Sequence, residues 1–213
     1  VEKSNHRNMK KLALLFTTAL TGLSLSAAPT AFDFKDPKGV NAIQFHLDSL
    51  LEPIAGTAGG VSGAVSFDPA NPAATTGRIV VAANSLKVSN TMMTEHLHGD
   101  NWLNVAQHPE IVFELGALTD VKTEGNTTSA TATGKFTLKG VTKEISVPVR
   151  LTHLAGAFGK RINKPEVPGD LLVLRGEFTI QRGDYGIQPG RNEDKVNPEV
   201  RLTLAIVGGP AQG

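Results

Sequence analysis

From about Phe32 onward, apolar residues recur at every second position rather than every third or fourth. Ile43, Phe45 and Leu47 alternate with Gln44, His46 and Asp48. Val61, Val65 and Phe67 share one face, with Ser62 and Ser66 on the other. The run 77–85 (GRIVVAANS), which holds Ile79 and Val81, is almost wholly apolar. Ile111, Phe113 and Leu115 fall together, and the stretch 129–140 sets Ala130, Ala132, Gly134, Phe136 and Leu138 against Thr131, Thr133, Lys135, Thr137 and Lys139. Ile145, Val147, Val149 and Leu151 repeat the pattern, as do Leu172, Leu174, Gly176, Phe178 and Ile180, and finally Val200, Leu202, Leu204 and Ile206. This predicts eight half-buried strands separated by Gly, Pro and Asn clusters. Alternation puts one face on a core and the other in water, which is the antiparallel signature. Eight such strands in one chain suit a sandwich or a closed barrel. Inward glycines at 63, 134 and 176 favour the barrel, because a strand coils most sharply where no side chain intervenes. Pro148 falls on the outward face of its strand and predicts a sheet edge or a bulge there.

Three intervals break the rhythm. Residues 84–109 lack the period of two: Asn90 or Thr91 is placed to cap a short helix that Gly99 stops, and Asp100 or Asn101 to cap a second turn ended by Pro109. Residues 156–170 and 182–199 read as long loops.

Composition narrows the class. Hydrophobic residues make up 40%, enough for a packed domain, and the formal charge of +1 gives no reason to expect nucleic acid. Met9-Lys10-Lys11 followed by the apolar run 12–25 and the small residues 26–31 reads as a secretory signal, with residues 1–8 upstream of the natural start. The apolar run is shorter than the roughly 20 residues a membrane span needs. Domain organisation is therefore expected as residues 1–28, upstream residues plus signal, and one domain over 29–213. Removing 1–28 takes four of the 21 basic and one of the 20 acidic residues, leaving 17 and 19, a net charge of −2. With no cysteine the exported domain cannot rely on disulfides, and a bacterial periplasm is the compartment that fits.

Catalytic constellations are missing from the sequence: it has no Gly-x-Ser-x-Gly elbow, no phosphate loop and no His-Glu-x-x-His. Glu193 and Asp194 sit between Arg191 and Lys195 in a loop, as a solvated charge run would.

Four segments carry a resemblance. They are 59–72 (GGVSGAVSFDPANP), 96–114 (HLHGDNWLNVAQHPEIVFE), 134–149 (GKFTLKGVTKEISVPV), and 176–187 (GEFTIQRGDYGI) followed by 199–206 (EVRLTLAI). In this order and spacing they resemble the YceI-like family over about residues 32–207. The sequence departs from the family pattern at Met93 and Thr94, where an Arg-Asp pair is common, and at Leu103, where a second aromatic usually follows Trp102. The resemblance implies an eight-stranded antiparallel, lipocalin-like barrel with short helical turns near its mouth. It also implies an apolar tunnel for a long amphiphile, such as a polyisoprenoid quinone or a fatty-acid derivative, and a binding protein rather than an enzyme.

On that reading Val65, Phe67, Ile79, Val81, Phe113, Leu115, Phe136, Leu138, Phe178 and Ile180 line the tunnel, with small neighbours (Gly63, Ala83, Ala130, Ala132, Gly134, Gly176) leaving room between them. Each buried methylene of a ligand gains about 0.8 kcal/mol, so several isoprene units gain on the order of 10 kcal/mol before ordering costs. Trp102 either covers the mouth or plugs the helical segment. Arg182, Tyr185 and Arg191 are assigned to a polar rim. The partners expected are the lipid, a transient membrane surface and a possible second copy of the chain; no cofactor is expected. Alternation alone suits a filled core, and the competing function is a stress-related interaction protein whose loop 84–109 binds a partner. His96 and His98, two apart, point to opposite sides of a helix, and His108 lies ten residues on, so no metal is expected. His96 is expected to bond loop backbone, with His98 and His108 exposed.

Overall fold

A computed structural model describes residues 29–211; the apolar stretch read as an export signal lies outside them. The described residues form eleven strands, all paired antiparallel in one sheet. They are β1 (Thr30–Asp33), β2 (Ala42–His46), β3 (Ala55–Ala58), β4 (Val61–Phe67), β5 (Thr76–Ala82), β6 (Leu86–Val88), β7 (Glu110–Glu124), β8 (Thr127–Leu138), β9 (Val141–Leu154), β10 (Leu171–Gln181) and β11 (Glu199–Gly208). The helices are α1 (Thr91–His98) and α2 (Phe158–Arg161). None is long and apolar enough to cross a membrane.

The count of eleven corrects the expected eight. Each of the eight alternating segments is a strand, and β1, β3 and β6 are additional. The extra strands have four, four and three residues, too short to display a period of two. They continue longer neighbours. β3 and β4 are separated only by Gly59 and Gly60, and β5 and β6 only by a 3-10 turn at Ala83–Ser85. β1 runs against β4 while β2 runs against β3. β11 pairs with β2 through Arg201–Ala205 and then meets β1, where Gly209 and Asp33 exchange two backbone hydrogen bonds of 2.7 and 3.0 Å. The sheet therefore curls strongly, bringing the last strand beside the first two.

Curvature has local causes. Gly63 adopts φ +108°, and a Cβ there would collide with the carbonyl of Arg78. β7 carries register shifts between Leu115 and Ala117 and between Thr119 and Lys122, and Gly134 on β8 lies opposite the first, with no room for a Cβ beside Glu114. Pro148 belongs to an internal strand with a regular register to β8. Its other edge explains its tolerance: the β9–β10 ladder covers Val149–Leu154 and ends at Val149↔Gly176, so it stops just short of Pro148.

The concave face holds the apolar core. At one end Phe32, Phe34, Phe67, Leu172 and Ile206 are essentially sealed from solvent (0–1% exposed). The chain crossing that end is tied down by buried polar groups. Asn41 donates to Phe34 O and Val207 O and accepts from Val207 N–H, at 3.0, 2.9 and 2.9 Å. Asp36 accepts from the N–H groups of Lys38, Val40 and Asn41 and pairs with Arg161 at 2.9 Å. Burial opposes ionisation of Asp36, but the Val40 and Lys38 N–H groups and the Arg161 charge outweigh it and hold the carboxyl below its ordinary value of 3.8. A depressed carboxyl stabilises the fold above its unfolded pKa, and that contribution disappears as pH falls through the folded value. Asp36→Asn is therefore expected to lose about 1–3 kcal/mol at neutral pH, read from denaturant midpoints. The gap from wild type should narrow once pH drops below 3.8.

Candidate functional site

The burial of inward side chains does not rise toward mid-strand, as it would in a filled core. On β10 the inward residues at the two ends, Leu172 and Ile180, are 0% and 7% exposed, but Leu174 and Phe178 between them are only half-buried. On β11, Val200 and Ile206 are buried and the intervening Leu202 and Leu204 are half-buried. Phe113 and Leu115 on β7 behave likewise, whereas Leu118 is buried. The registers Phe178↔Leu202, Gly176↔Leu204 and Leu174↔Ile206 make the half-buried positions of β10 and β11 contiguous. Their outward neighbours, such as Arg175 and Glu177, face water, so the residual exposure of the inward set belongs to an internal surface.

That surface is a cavity of about 180 Å³. An engineered apolar cavity of about 150 Å³ stays dry and admits benzene. Apart from Thr75, Trp102 and Arg182, its wall side chains are hydrocarbon. Thus it offers apolar contact along its length and almost nothing for a charge. The wall includes Val65, Ile79, Val81, Phe113, Leu115, Phe136, Leu138, Phe178 and Ile180 from the sequence-derived set. Phe67 instead belongs to the sealed end, off the wall. Of the small residues, Ala132 is on the wall, while Ala83 and Ala130 are buried elsewhere in the core. Besides Leu47 and Ile111, which continue alternating runs, the wall includes Leu86, Leu97, Leu103 and Ile187, which sequence reading missed and which come from the segments around α1 and the loop after β10. No alternation marks those segments.

The end of the cavity opposite the sealed end is closed by loops. Asn90 caps α1, its side chain accepting from Met93 N–H at 3.0 Å, and Gly99 ends the helix. The second turn expected over 102–107 takes the form of hydrogen-bonded turns with no helix, and Asn104 lies in the left-handed region at φ 49°. The turns put Trp102 and Leu103 on the wall, Trp102 half-buried and Leu103 buried. The histidine roles are the reverse of those expected. His96 is exposed, and it is His98 whose Nε2 lies 2.7 Å from Leu86 O, on β6. His108 is half-buried, beside Gly140. No group of three or more potential metal ligands occurs among the described residues.

Arg182 organises the loop closure. It is 1% exposed, and its five N–H donors meet five main-chain carbonyls. Nε donates to Asn197 O at 3.2 Å. Nη1 donates to Ile187 O at 2.8 Å and to Gln188 O. Nη2 donates to Arg191 O at 2.6 Å and Val196 O at 3.1 Å. The guanidinium also sits 5.7 Å from the centroid of the Trp102 ring, within cation–π range. Burial lowers its pKa, opposed by the negative charge of Glu193. The rim assignment therefore changes: Arg182 is a buried staple for the loop 187–197 with its donors engaged. Tyr185 is buried too, edge-on to Phe136 at 5.6 Å, and burial followed by the Asp184 charge raises its pKa. Arg191 alone of the three is exposed.

With this geometry in place, comparison with known proteins is decisive for the family. The sequence profile of the YceI-like domain matches residues 36–208. The chain belongs to the YceI-like family. A UPF0312 protein of Pseudomonas aeruginosa strain LESB58 is similar, 28% identical over 205 residues, spanning 94% of this chain and 98% of the relative. A UPF0312 protein of Yersinia pestis strain Pestoides F is 34% identical over 147 residues, 65% of this chain and 74% of its own. Among solved structures, Burkholderia cenocepacia BcnA aligns with a TM-score of 0.64 at 21% identity, over 78% of this chain and 95% of its own. A polyisoprenoid binding domain from Saccharophagus degradans implicated in plant cell wall breakdown aligns with a TM-score of 0.61 at 12% identity, over 86% of this chain and 99% of its own. At these identities the structural likenesses show that the YceI-like fold is shared.

Arg182→Lys cannot reproduce five donors, and the carbonyls left unpartnered in the YceI-like loop 187–197 should cost about 3 kcal/mol or more. Arg191→Ala, at the surface, should cost less than about 0.5 kcal/mol. Chemical denaturation of the two variants checks the contrast; equal losses would show that the staple is not what holds the loop.

Proposed function

We propose that this protein is a periplasmic binding protein that sequesters or carries a long-chain amphiphile, a polyisoprenoid quinone or a fatty-acid derivative, in the apolar cavity, with no catalytic step. The observation that carries this reading is the half-exposure of inward mid-strand side chains around a hydrocarbon-walled void. A filled interior would bury Leu174, Phe178, Leu202 and Leu204 at least as well as the strand ends, and they are buried less. Membership of the YceI-like family supports the reading, as does the fold shared with a domain described as polyisoprenoid-binding.

The closure offered here is an eight-lane lipocalin-like barrel. The lanes are β1 with β2, β3 with β4, β5 with β6, and β7 to β11 singly, and the contacts of β11 with both β2 and β1 support it. Export rests on the signal-like stretch 9–28. The mechanism is partition: the tail exchanges the bilayer for the cavity, gaining about 0.8 kcal/mol per buried methylene. Ordering of tail and loops offsets part of that gain. Because the wall provides no unengaged charge, the polar head is assigned to the loop end, near Trp102 and the exposed Arg191.

Organic extraction of natively produced protein, followed by mass spectrometry, should recover a lipid near one equivalent per chain. Leu204→Trp, which projects a larger side chain into the void, should keep the fold and lower the recovered lipid at least about tenfold, the loss of roughly 1.4 kcal/mol or more of binding. Empty wild-type protein that also fails to bind added polyprenol would refute carriage.

A further inference from the structure

The hairpin between β2 and β3 turns at Ser49, Leu50, Leu51 and Glu52. Ser49 N–H donates to Glu52 O at 3.1 Å, and Glu52 N–H donates to Ser49 Oγ at 3.0 Å, so the turn is hydrogen-bonded on both sides. The centre of such a turn ordinarily holds Gly, Pro, Asn, Asp or Ser, whose backbone or side chain favours the bend. Here it holds two leucines, 99% and 63% exposed. Neither turn geometry nor core packing calls for them. Where a sequence breaks a local rule with no structural gain, function is the expected reason.

A third exposed apolar side chain stands at the same end. Met92, in the first turn of α1, is 65% exposed. Val88, the last residue of β6, pairs with Gly56 near the start of β3, so the chain leaves for α1 beside the leucine turn. The turn is joined to the stapled loop, since Asn197 Nδ2 donates to Asp48 O at 2.8 Å. Leu47, just before the turn, and Leu97, on α1, are both on the cavity wall. The cavity wall thus reaches, at Leu47, to within three residues of Leu50 at the exposed tip.

We propose that this end docks on a lipid bilayer, Leu50 and Leu51 entering the boundary between headgroups and acyl chains with Met92 at the same level. The proposal rests on the lipid-binding reading of the cavity and names the surface from which the tail is taken. The shape argues for a bilayer over a protein. Two leucines on a convex turn present no groove for a peptide, and three side chains fall far short of the roughly 800 Å² per partner of a stable protein interface. The charges argue against attraction to an anionic surface: Asp48 and Glu52 flank the leucines, and Glu95 shares α1 with Met92. Apolar insertion is then the driving force, and salt should not weaken it.

The test is cosedimentation of the exported protein with phosphatidylcholine–phosphatidylethanolamine vesicles. Wild type should partition onto vesicles equally at ~0.05 and ~0.5 M NaCl, and Leu50→Ser/Leu51→Ser should partition at least about tenfold less. In the same variant, binding of detergent-solubilised polyprenol should be unchanged, and uptake of polyprenol from vesicles slowed by a similar factor. Vesicle binding that is equal in both proteins, that requires anionic lipid and vanishes at high salt, or that is replaced by Leu50/Leu51-dependent dimerisation in sedimentation velocity would overturn the proposal. Wild type that binds vesicles but takes up polyprenol from neither source would retain the docking surface and refute the cavity reading instead.

Discussion

A curled sheet with an apolar concave face has to keep that face from water at both ends, and everything else in this fold follows from how the two ends do so. The eight-lane closure proposed for this sheet would enclose a space just wide enough for side chains or for one slender ligand. Here the side chains do not fill it. Phe113, Leu115, Phe178 and Leu204 line a cavity of about 180 Å³ with a largely hydrocarbon wall. Such a void forfeits dispersion contacts, so the surrounding structure must hold it open. The sheet hydrogen bonds supply that rigidity, together with the bulges of β7 and the tight backbone at Gly63 and Gly134.

The two ends use different chemistry. One is shut by packing: five side chains from β1, the segment following it, β4, β10 and β11 are sealed from solvent, and Asp36 and Asn41 fasten the crossing chain above them. The other is shut by a loop with no strand to hold it. Arg182 replaces the missing ladder by gathering five carbonyls of residues 187–197 around one buried charge. A local staple of this kind is easier to open than a packed aromatic plug, because it is confined to one loop and next to water. On the proposed function, a ligand would pass at the end that carries α1, Trp102 and the leucine turn.

Much of this was legible in the sequence, and the rest was hidden for identifiable reasons. Eight strands announced themselves because one wet face and one apolar face impose a period of two. β1, β3 and β6 did not, since three or four residues cannot establish a period. The cap at Asn90, the stop at Gly99 and a second turn after it were readable from local chemistry, but the left-handed backbone of Asn104 that shapes that turn was not. Wall positions on the long strands followed from alternation. Leu97, Leu103 and Ile187 come from irregular segments and are visible only once the chain folds back. Arg182 was assigned to the surface because arginine in a loop usually lies there; that five carbonyls converge on it is a tertiary fact. The hollow interior was likewise out of reach of pattern alone, because a filled and an empty barrel share the same alternation. Family resemblance, not periodicity, pointed to the void.

Xenon-pressurised crystals of the protein test the central claim most directly, since the gas occupies dry apolar space without needing the natural ligand. The account predicts xenon inside the sheet, in contact with Phe113, Leu115, Leu174 and Phe178, in protein stripped of lipid. An interior that takes up no xenon, with side chains from β7 and β10 meeting across the axis, would contradict it.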